Sequence, residues 1–402
     1  MTSQTSEANK PSSKQKTIRI FILFLATYII LCGFVIVFPY VYYDSDSSAY
    51  SSIGQKLAFL PLTRWCAPEW GGHGGNVGYF QDHPPGILWL TAIFVRLGVP
   101  GPSAALCANF LYIFLSFYFI YLLASHFGGP MLGWSAVFAF TFTPIFLQYL
   151  VRANQEHPLN LAVVAGIYGF VRCQESWRYK AIFVFSLVFG FLIKGMSGLI
   201  ISLVALICWV ILFRSKRTLF FIILAHLIAL AAMVLFELWY EQVTGGISFW
   251  RNYFSIQLGS AVAGGFNPLA KIYNFIWYLG RAIWFPVPWV FFIFYGLFKW
   301  IKGDRSLFKA KFFLLSLGSA FSIILWFSLF NRKADRYIFA AYIFLALAGV
   351  FVLFQRKTEL RHWLERKKSL LPVYHSVILI FIVLLRIFFH NYLYTFIKLW
   401  PG

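Results

Sequence analysis

Eleven uninterrupted apolar runs alternate along this chain with short polar segments, near 20–41, 104–126, 131–151, 156–171, 179–194, 196–213, 218–239, 284–300, 312–330, 337–354 and 371–390. The first of them, Ile20 to Val41, has 22 residues without a charge. At ~1.5 Å per residue a helix of that length crosses the ~30 Å hydrocarbon layer of a bilayer. The pattern therefore predicts an all-α polytopic membrane protein of about eleven transmembrane helices. Ile87 to Val99 is different: it has 13 residues, carries Arg96 and follows Pro84-Pro85, so it is predicted to lie along the membrane interface. The first 17 residues are polar, and the apolar run behind them is too long for a signal peptide and has no small-residue cleavage site, which predicts a retained first helix.

Composition strengthens the class. With 60% hydrophobic, 21% aromatic and 12% charged residues over 402 positions, a soluble domain is excluded. The charge is uneven, 34 Lys+Arg against 13 Asp+Glu. If Ile87–Val99 does not cross, one face collects the N-terminal lysines and the short loops around Arg172–Lys180, Arg214–Arg217, Lys299–Lys311 and Arg356–Lys368. Together with Lys10, Lys14, Lys16 and Arg19, those loops hold 21 of the 34 basic residues, so that face is expected to be cytoplasmic. The net charge of +21 is then a signal of topology and of contact with membrane lipids, and nucleic acid is not an expected partner. The expected organisation is a cytoplasmic tail over 1–17, a membrane domain over 18–354 with outer segments 42–103 and 240–283, and a basic loop with a last helix over 355–402. Cys32, Cys107 and Cys208 sit in apolar runs, so no disulfide framework is expected.

The remaining polar clusters fall on the opposite, outer face. Asp44 and Asp46 open the break after the first run, and Asp46 begins a stretch whose apolar spacing suits a juxtamembrane helix. Either aspartate can cap that helix; Asp46 is also the candidate base. In Asp82-His83-Pro84-Pro85 the prolines fix an extended entry to the next helix. Asp82 is a candidate ligand for a divalent cation and His83 a candidate phosphate contact. Arg152-Ala153-Asn154-Gln155-Glu156-His157-Pro158 offers a second acid in Glu156, with Arg152 and His157 as anion contacts. Lys194-Gly195 marks a tight turn, and Arg332, Lys333 and Arg336, with Tyr337 following, place cations on the outer face, where an anionic partner is expected. The aromatic-rich stretch Thr244–Ile283, with Trp250, Tyr253 and Phe254, suits either anchoring at the headgroup level or the wall of a groove that admits a lipid-linked donor. Glu237 and Arg386, inside apolar runs, lie near enough to a span end to snorkel.

These residues, in this order, resemble the membrane-embedded glycosyltransferases that use polyprenyl-phosphate sugars, the superfamily of protein O-mannosyltransferases and lipid A aminoarabinose transferases. The matching positions are Asp46 with Tyr50, Asp82-His83-Pro84-Pro85, Arg152–Pro158 with Glu156, Lys194-Gly195, and Arg336-Tyr337, over about residues 20–354. The resemblance implies a glycosyltransferase C fold, Asp46 as the catalytic acid/base, Glu156 as a second catalytic carboxylate, and Asp82 as a metal or substrate contact. His83 stands where the aminoarabinose transferases have lysine. The expected activity is inverting transfer of a sugar from a polyprenyl-phosphate donor to a lipid, glycan or protein acceptor. His83, Arg152, His157, Lys194, Arg336 and Tyr337 are expected to bind substrate or phosphate. The expected place is a bacterial inner membrane, with the N-terminus cytoplasmic and the site facing the periplasm. The rival reading is a transporter or flippase of lipid-linked sugars, which would place its charges near the bilayer midplane instead.

Overall fold

The computed structural model describes residues 13–38, 42, 44–72, 75–76, 78–259, 267–356, 358–367 and 369–388. Most of the polar tail, a piece of the later outer segment (260–266) and residues 389–402 lie outside the described residues. The apolar runs form helices: α1 (Ser13–Val37), α4 (Gly101–Thr141), α5 (Pro144–Tyr149), α6 (Glu156–Val171), α7 (Trp177–Lys194), α8 (Leu199–Cys208) and α9 (Lys216–Thr244) in the first half. After the short α10 (Phe249–Tyr253) come α11 (Pro268–Trp284), α12 (Trp289–Ile301), α13 (Lys311–Ser328), α14 (Phe339–Arg356), α15 (Thr358–Lys367) and α16 (Leu371–Phe388). Between α1 and α4 lie α2 (Ser45–Ala58), a two-stranded ribbon of Gly75–Asn76 with Tyr79–Phe80, and α3 (Gly86–Arg96).

Among the described residues, seven helices are long and apolar enough to cross a membrane, or eight if the bent pair α11 and α12 is one span. The expected eleven is not reached, and the difference lies in three places. α4 contains one predicted run and most of the next. It breaks at Gly128, Gly129 (φ 77°) and Pro130. Beyond that break the chain doubles back, since the rings of Phe117 and Phe140 are 6.1 Å apart, where a straight helix would separate them by about 35 Å. The stretch Trp177–Phe213 likewise holds two runs, and it reverses at Lys194-Gly195. A Cβ on Gly166 of α6 would sit 3.1 Å from Ser186 and 2.9 Å from Ile201, so α7 and α8 lie side by side against α6. Finally, α6 itself has only 16 residues.

The helices bury their aromatic side chains inward, with Phe117, Phe140, Phe146, Phe170 and Phe339 all inaccessible. Leu227, Leu235 and Leu238 of α9 point outward, as suits a helix against hydrocarbon. Arg386 does not reach for a surface as expected: it is 4% exposed, inside the last turn of α16.

Two features fix the cap of the bundle. α3 is 11 residues long, about 16 Å, too short to cross. It packs on α2, where a Cβ on Gly54 would meet Thr91 at 2.7 Å, and the guanidinium of Arg96 donates to the carbonyls of Ala58 and Leu60 at the end of α2. Gly86 brings the start of α3 against the last turn of α7, where a Cβ would lie 2.6 Å from the Leu192 carbonyl. That contact sets Asp82-His83 beside Lys194.

Candidate active site

Each acid reaches the site by a local rule. Asp44 is the N-cap of α2, its carboxylate accepting from the Ser47 amide at 2.8 Å. Asp46, two residues on, is therefore free to point elsewhere. The sequence offered capping to both aspartates, and the structure divides the work. Glu156 opens α6, and Lys194 closes α7.

These residues meet in one cavity of about 170 Å³ at the α2–α3 end of the bundle. Asp46, Tyr50, Asp82, His83, Glu156, Lys194, Arg336 and Tyr337 all face it, joined by Asn154, Gln155, Tyr253, Gln257 and Arg332. Trp326, Phe327 and Phe330 form an aromatic wall. Arg336 holds the centre: its guanidinium donates to Asp46 Oδ2, and its Nε lies 3.9 Å from Glu156 Oε1. Lys194 Nζ donates to that same Glu156 oxygen at 3.2 Å and sits 5.4 Å from the Tyr337 ring centroid. The Lys194 and Glu156 side chains are only 5% and 3% exposed. Burying one such charge alone is costly, so each is tolerated because the other is there. The second oxygen of Glu156 is buried and has no hydrogen-bond partner among the described residues.

A second layer runs along the rim. Arg332 donates to Gln257 Oε1 at 3.2 Å, and the Gln257 amide donates to Asp82. His83 is packed beside Asp82, with its Nδ1 buried and without a hydrogen-bond partner among the described residues. Burial first, and then the charges of Lys194, Arg336 and Arg332, hold its imidazole well below the usual range, so it is neutral at neutral pH. Tyr50 accepts from Gln155 Nε2 at 3.1 Å. Burial and then Asp82, Asp46 and Glu156 push its phenol well up, which keeps its proton available to the cavity.

The His83 shift has a sign that can be checked. The unfolded imidazole takes a proton near pH 6.5 and the folded one resists it, so this group's stability is complete above pH ~6.5 and declines as the pH falls below it. Replacing His83 by Asn is expected to flatten the acid side of the stability profile. Unfolding midpoints of detergent-solubilised protein between about pH 7.5 and 5 report it; an unchanged slope in the variant would show that His83 does not contribute.

Two expected site residues are not in the cavity. Arg152 stacks on Tyr149, its guanidinium carbon 4.6 Å from the ring centroid. His157 is 1% exposed, bonded through Nε2 to the Tyr149 carbonyl at 3.0 Å and packed between Phe146 and Phe339. The reason is helical geometry. Glu156 and His157 are one residue, about 100°, apart at the start of α6, so when the glutamate faces the cavity the histidine faces the packed interior. Gln257 and Tyr253 were not singled out as site residues by the sequence: they belong to an aromatic-rich stretch whose composition looks the same whether it anchors at the headgroups or walls a site.

The metal reading of Asp82 finds little support in the donors. Among the described residues no three His, Cys, Asp or Glu side chains gather to hold an ion. Asp82 takes the Gln257 amide, and the other two acids are engaged by Arg336 and Lys194.

The Lys194 turn depends on its glycine. Gly195 has φ 54° and ψ −127°, and a Cβ there would fall 2.4 Å from the Tyr253 hydroxyl. Gly195→Ala is expected to cost about 1–3 kcal/mol from backbone strain alone, and more from the clash. A melting curve like that of wild type would contradict this placement.

Beside the cavity, sharing Met196 with it, runs an open apolar groove of about 660 Å³ between α7, α8, α9 and α10. Leu227, Leu230, Met233, Val234, Trp250 and Phe254 line it.

Residues 82–240 match the protein family described as dolichyl-phosphate-mannose-protein mannosyltransferase. No curated protein matches the chain significantly in sequence. Among solved structures, ArnT from Cupriavidus metallidurans bound to undecaprenyl phosphate superposes with a TM-score of 0.63 at 16% identity, covering 86% of this chain and 61% of that one. Its apo state gives 0.62 at 18% identity, covering 86% and 60%. The Archaeoglobus fulgidus oligosaccharyltransferase AglB, in complex with an inhibitory peptide and a dolichol-phosphate, gives 0.53 at 14% identity, covering 94% and 55%. The chain thus spans less than two thirds of the length of these proteins, and what it shares with them is the fold.

Proposed function

We propose that this protein transfers a sugar from a polyprenyl phosphate to an acceptor hydroxyl, in one displacement that inverts the anomeric carbon. The observation that carries the reading is the arrangement of charge: carboxylates and cations from five separate segments share one small cavity, with Arg336 lying between Asp46 and Glu156. In the resting protein Arg336 occupies Asp46. A donor phosphate entering the cavity competes for that guanidinium, and Asp46 is released as a base in the same event. The acceptor O–H gives its proton to Asp46 while its oxygen attacks the anomeric carbon. The bond from that carbon to the phosphate oxygen breaks, and its electron pair passes to the phosphate. Arg336, Lys194 and Arg332 meet the added negative charge. His83, neutral, is an N–H donor to the same oxygens.

Support for a lipid donor comes from the groove. Its open apolar wall meets the cavity at Met196, so a phosphate held by the cations leaves its tail among the side chains of α9 and α10. The fold shared with a protein seen bound to undecaprenyl phosphate supports the same donor class. The site would face the periplasm of a bacterial inner membrane, with the N-terminus cytoplasmic, in keeping with the basic loops at the other end. The test is purified protein in sealed proteoliposomes with a radiolabelled polyprenyl-phosphate sugar and extracted envelope lipids, glycans or peptides. Label moving to an acceptor supports the reading; donor that is bound but never spent, or moved across vesicles, favours transport.

A further inference from the structure

The geometry points to Tyr253 as a positioning residue for the Lys194–Glu156 pair, acting from behind the Lys194-Gly195 turn. The inference rests on the reading that these charges serve a polyprenyl phosphate. Lys194 reaches Glu156 from the last residue of a helix: the Gly195 amide still bonds back to the Phe191 carbonyl, but the Lys194 carbonyl lies beyond the last intrahelical bond of α7 and needs a partner from elsewhere. The hydroxyl of Tyr253 is that partner: it donates to the Lys194 carbonyl at 3.3 Å and accepts from the Met196 amide at 3.2 Å. It thereby staples both sides of Gly195, the residue whose missing Cβ makes room for it.

Tyr253 is itself held in place from an unexpected quarter. Glu237, on α9, does not snorkel as its position in the sequence predicted. One of its oxygens accepts from the Ser248 hydroxyl and the other from the Trp250 amide at 3.1 Å. Ser248 is the N-cap of α10, accepting from the Arg251 amide at 3.2 Å, and the Trp250 indole donates to the Met233 carbonyl at 3.1 Å. A carboxylate at a helix N-terminus is favourably placed against the helix dipole and its unpaired amides. The path runs from α9 through Glu237 to α10, from Tyr253 to the turn, and from Lys194 to Glu156. Trp250, Phe254 and Met196 along this path also line the apolar groove, so the tether passes between the lipid groove and the charged pair.

The test is a mutant cycle on binding of undecaprenyl phosphate, read by microscale thermophoresis in detergent. Glu156 and Lys194 are removed together, as Glu156→Gln with Lys194→Met, so that neither charge is left buried alone. This neutral pair is expected to weaken binding about 30-fold, the scale of a lost charge-assisted contact. Tyr253→Phe keeps the ring and removes the staple, and is expected to weaken binding about 5-fold in the wild-type background and not at all in the neutral-pair background, because coupled residues are non-additive. The two lost hydrogen bonds lower the unfolding midpoint by the same amount in both backgrounds, so stability does not account for the difference in binding. An equal loss in both backgrounds would overturn the inference alone, since Tyr253 would then act independently of Lys194. Wild-type affinity in the neutral pair would overturn the phosphate reading on which the inference stands.

Discussion

Asp46→Asn is expected to slow transfer by about 10²- to 10⁴-fold, the usual contribution of a positioned general base. Asparagine has the same shape and can still accept a hydrogen bond from Arg336, so the cavity keeps its form. It cannot take the acceptor's proton. Arg336 loses an anionic partner but keeps Glu156, 3.9 Å from its Nε, and is freer to meet a phosphate. The loss should therefore fall on kcat while the donor KM stays level or drops. Measured in membranes at matched expression, a near-normal rate would remove Asp46 from the mechanism.

The second large effect concerns folding. Lys194→Met leaves Glu156 buried at 3% exposure with its nearest cation gone, and removing one partner of a buried ion pair costs about 3–5 kcal/mol. Arg336 is the remaining cation, but at 3.9 Å and shared with Asp46 it replaces little of the lost bond. Adding Glu156→Gln to Lys194→Met is expected to restore most of the stability, since two neutral groups of similar shape carry no uncompensated charge. It is not expected to restore transfer. Unfolding in detergent titrated with SDS compares the variants; a single variant as stable as wild type would mean that water or lipid headgroups, and not Lys194, satisfy Glu156.

Much of this site was legible in the chain because a membrane makes polar residues conspicuous. Asp46, Glu156, Lys194 and Arg336 stand at the ends of apolar runs, where a charge needs a reason, and all four face one cavity. The sequence was less informative within a polar cluster. In Arg152–Pro158 all the side chains look equally suited to chemistry, and only the phase of α6 separates Glu156 in the cavity from His157 in the core. Glu237 shows the opposite difficulty: its partner is the start of α10, a relation between two helices that spacing along the chain does not encode. The helix count suffered from glycine, since an apolar run says where hydrocarbon is met but not that Gly129 or Gly195 turns the chain back on itself.

The cations of this cavity are expected to hold a lipid phosphate next to Asp46. A cryo-electron microscopy structure of the protein in nanodiscs with undecaprenyl phosphate tests it directly. Phosphate density is expected to contact Arg336 and Lys194, with the Arg336–Asp46 pair opened and the tail running past Met196 into the groove along α9. Density in the groove with no phosphate in the cavity, or a phosphate bound while Arg336 remains on Asp46, would contradict it.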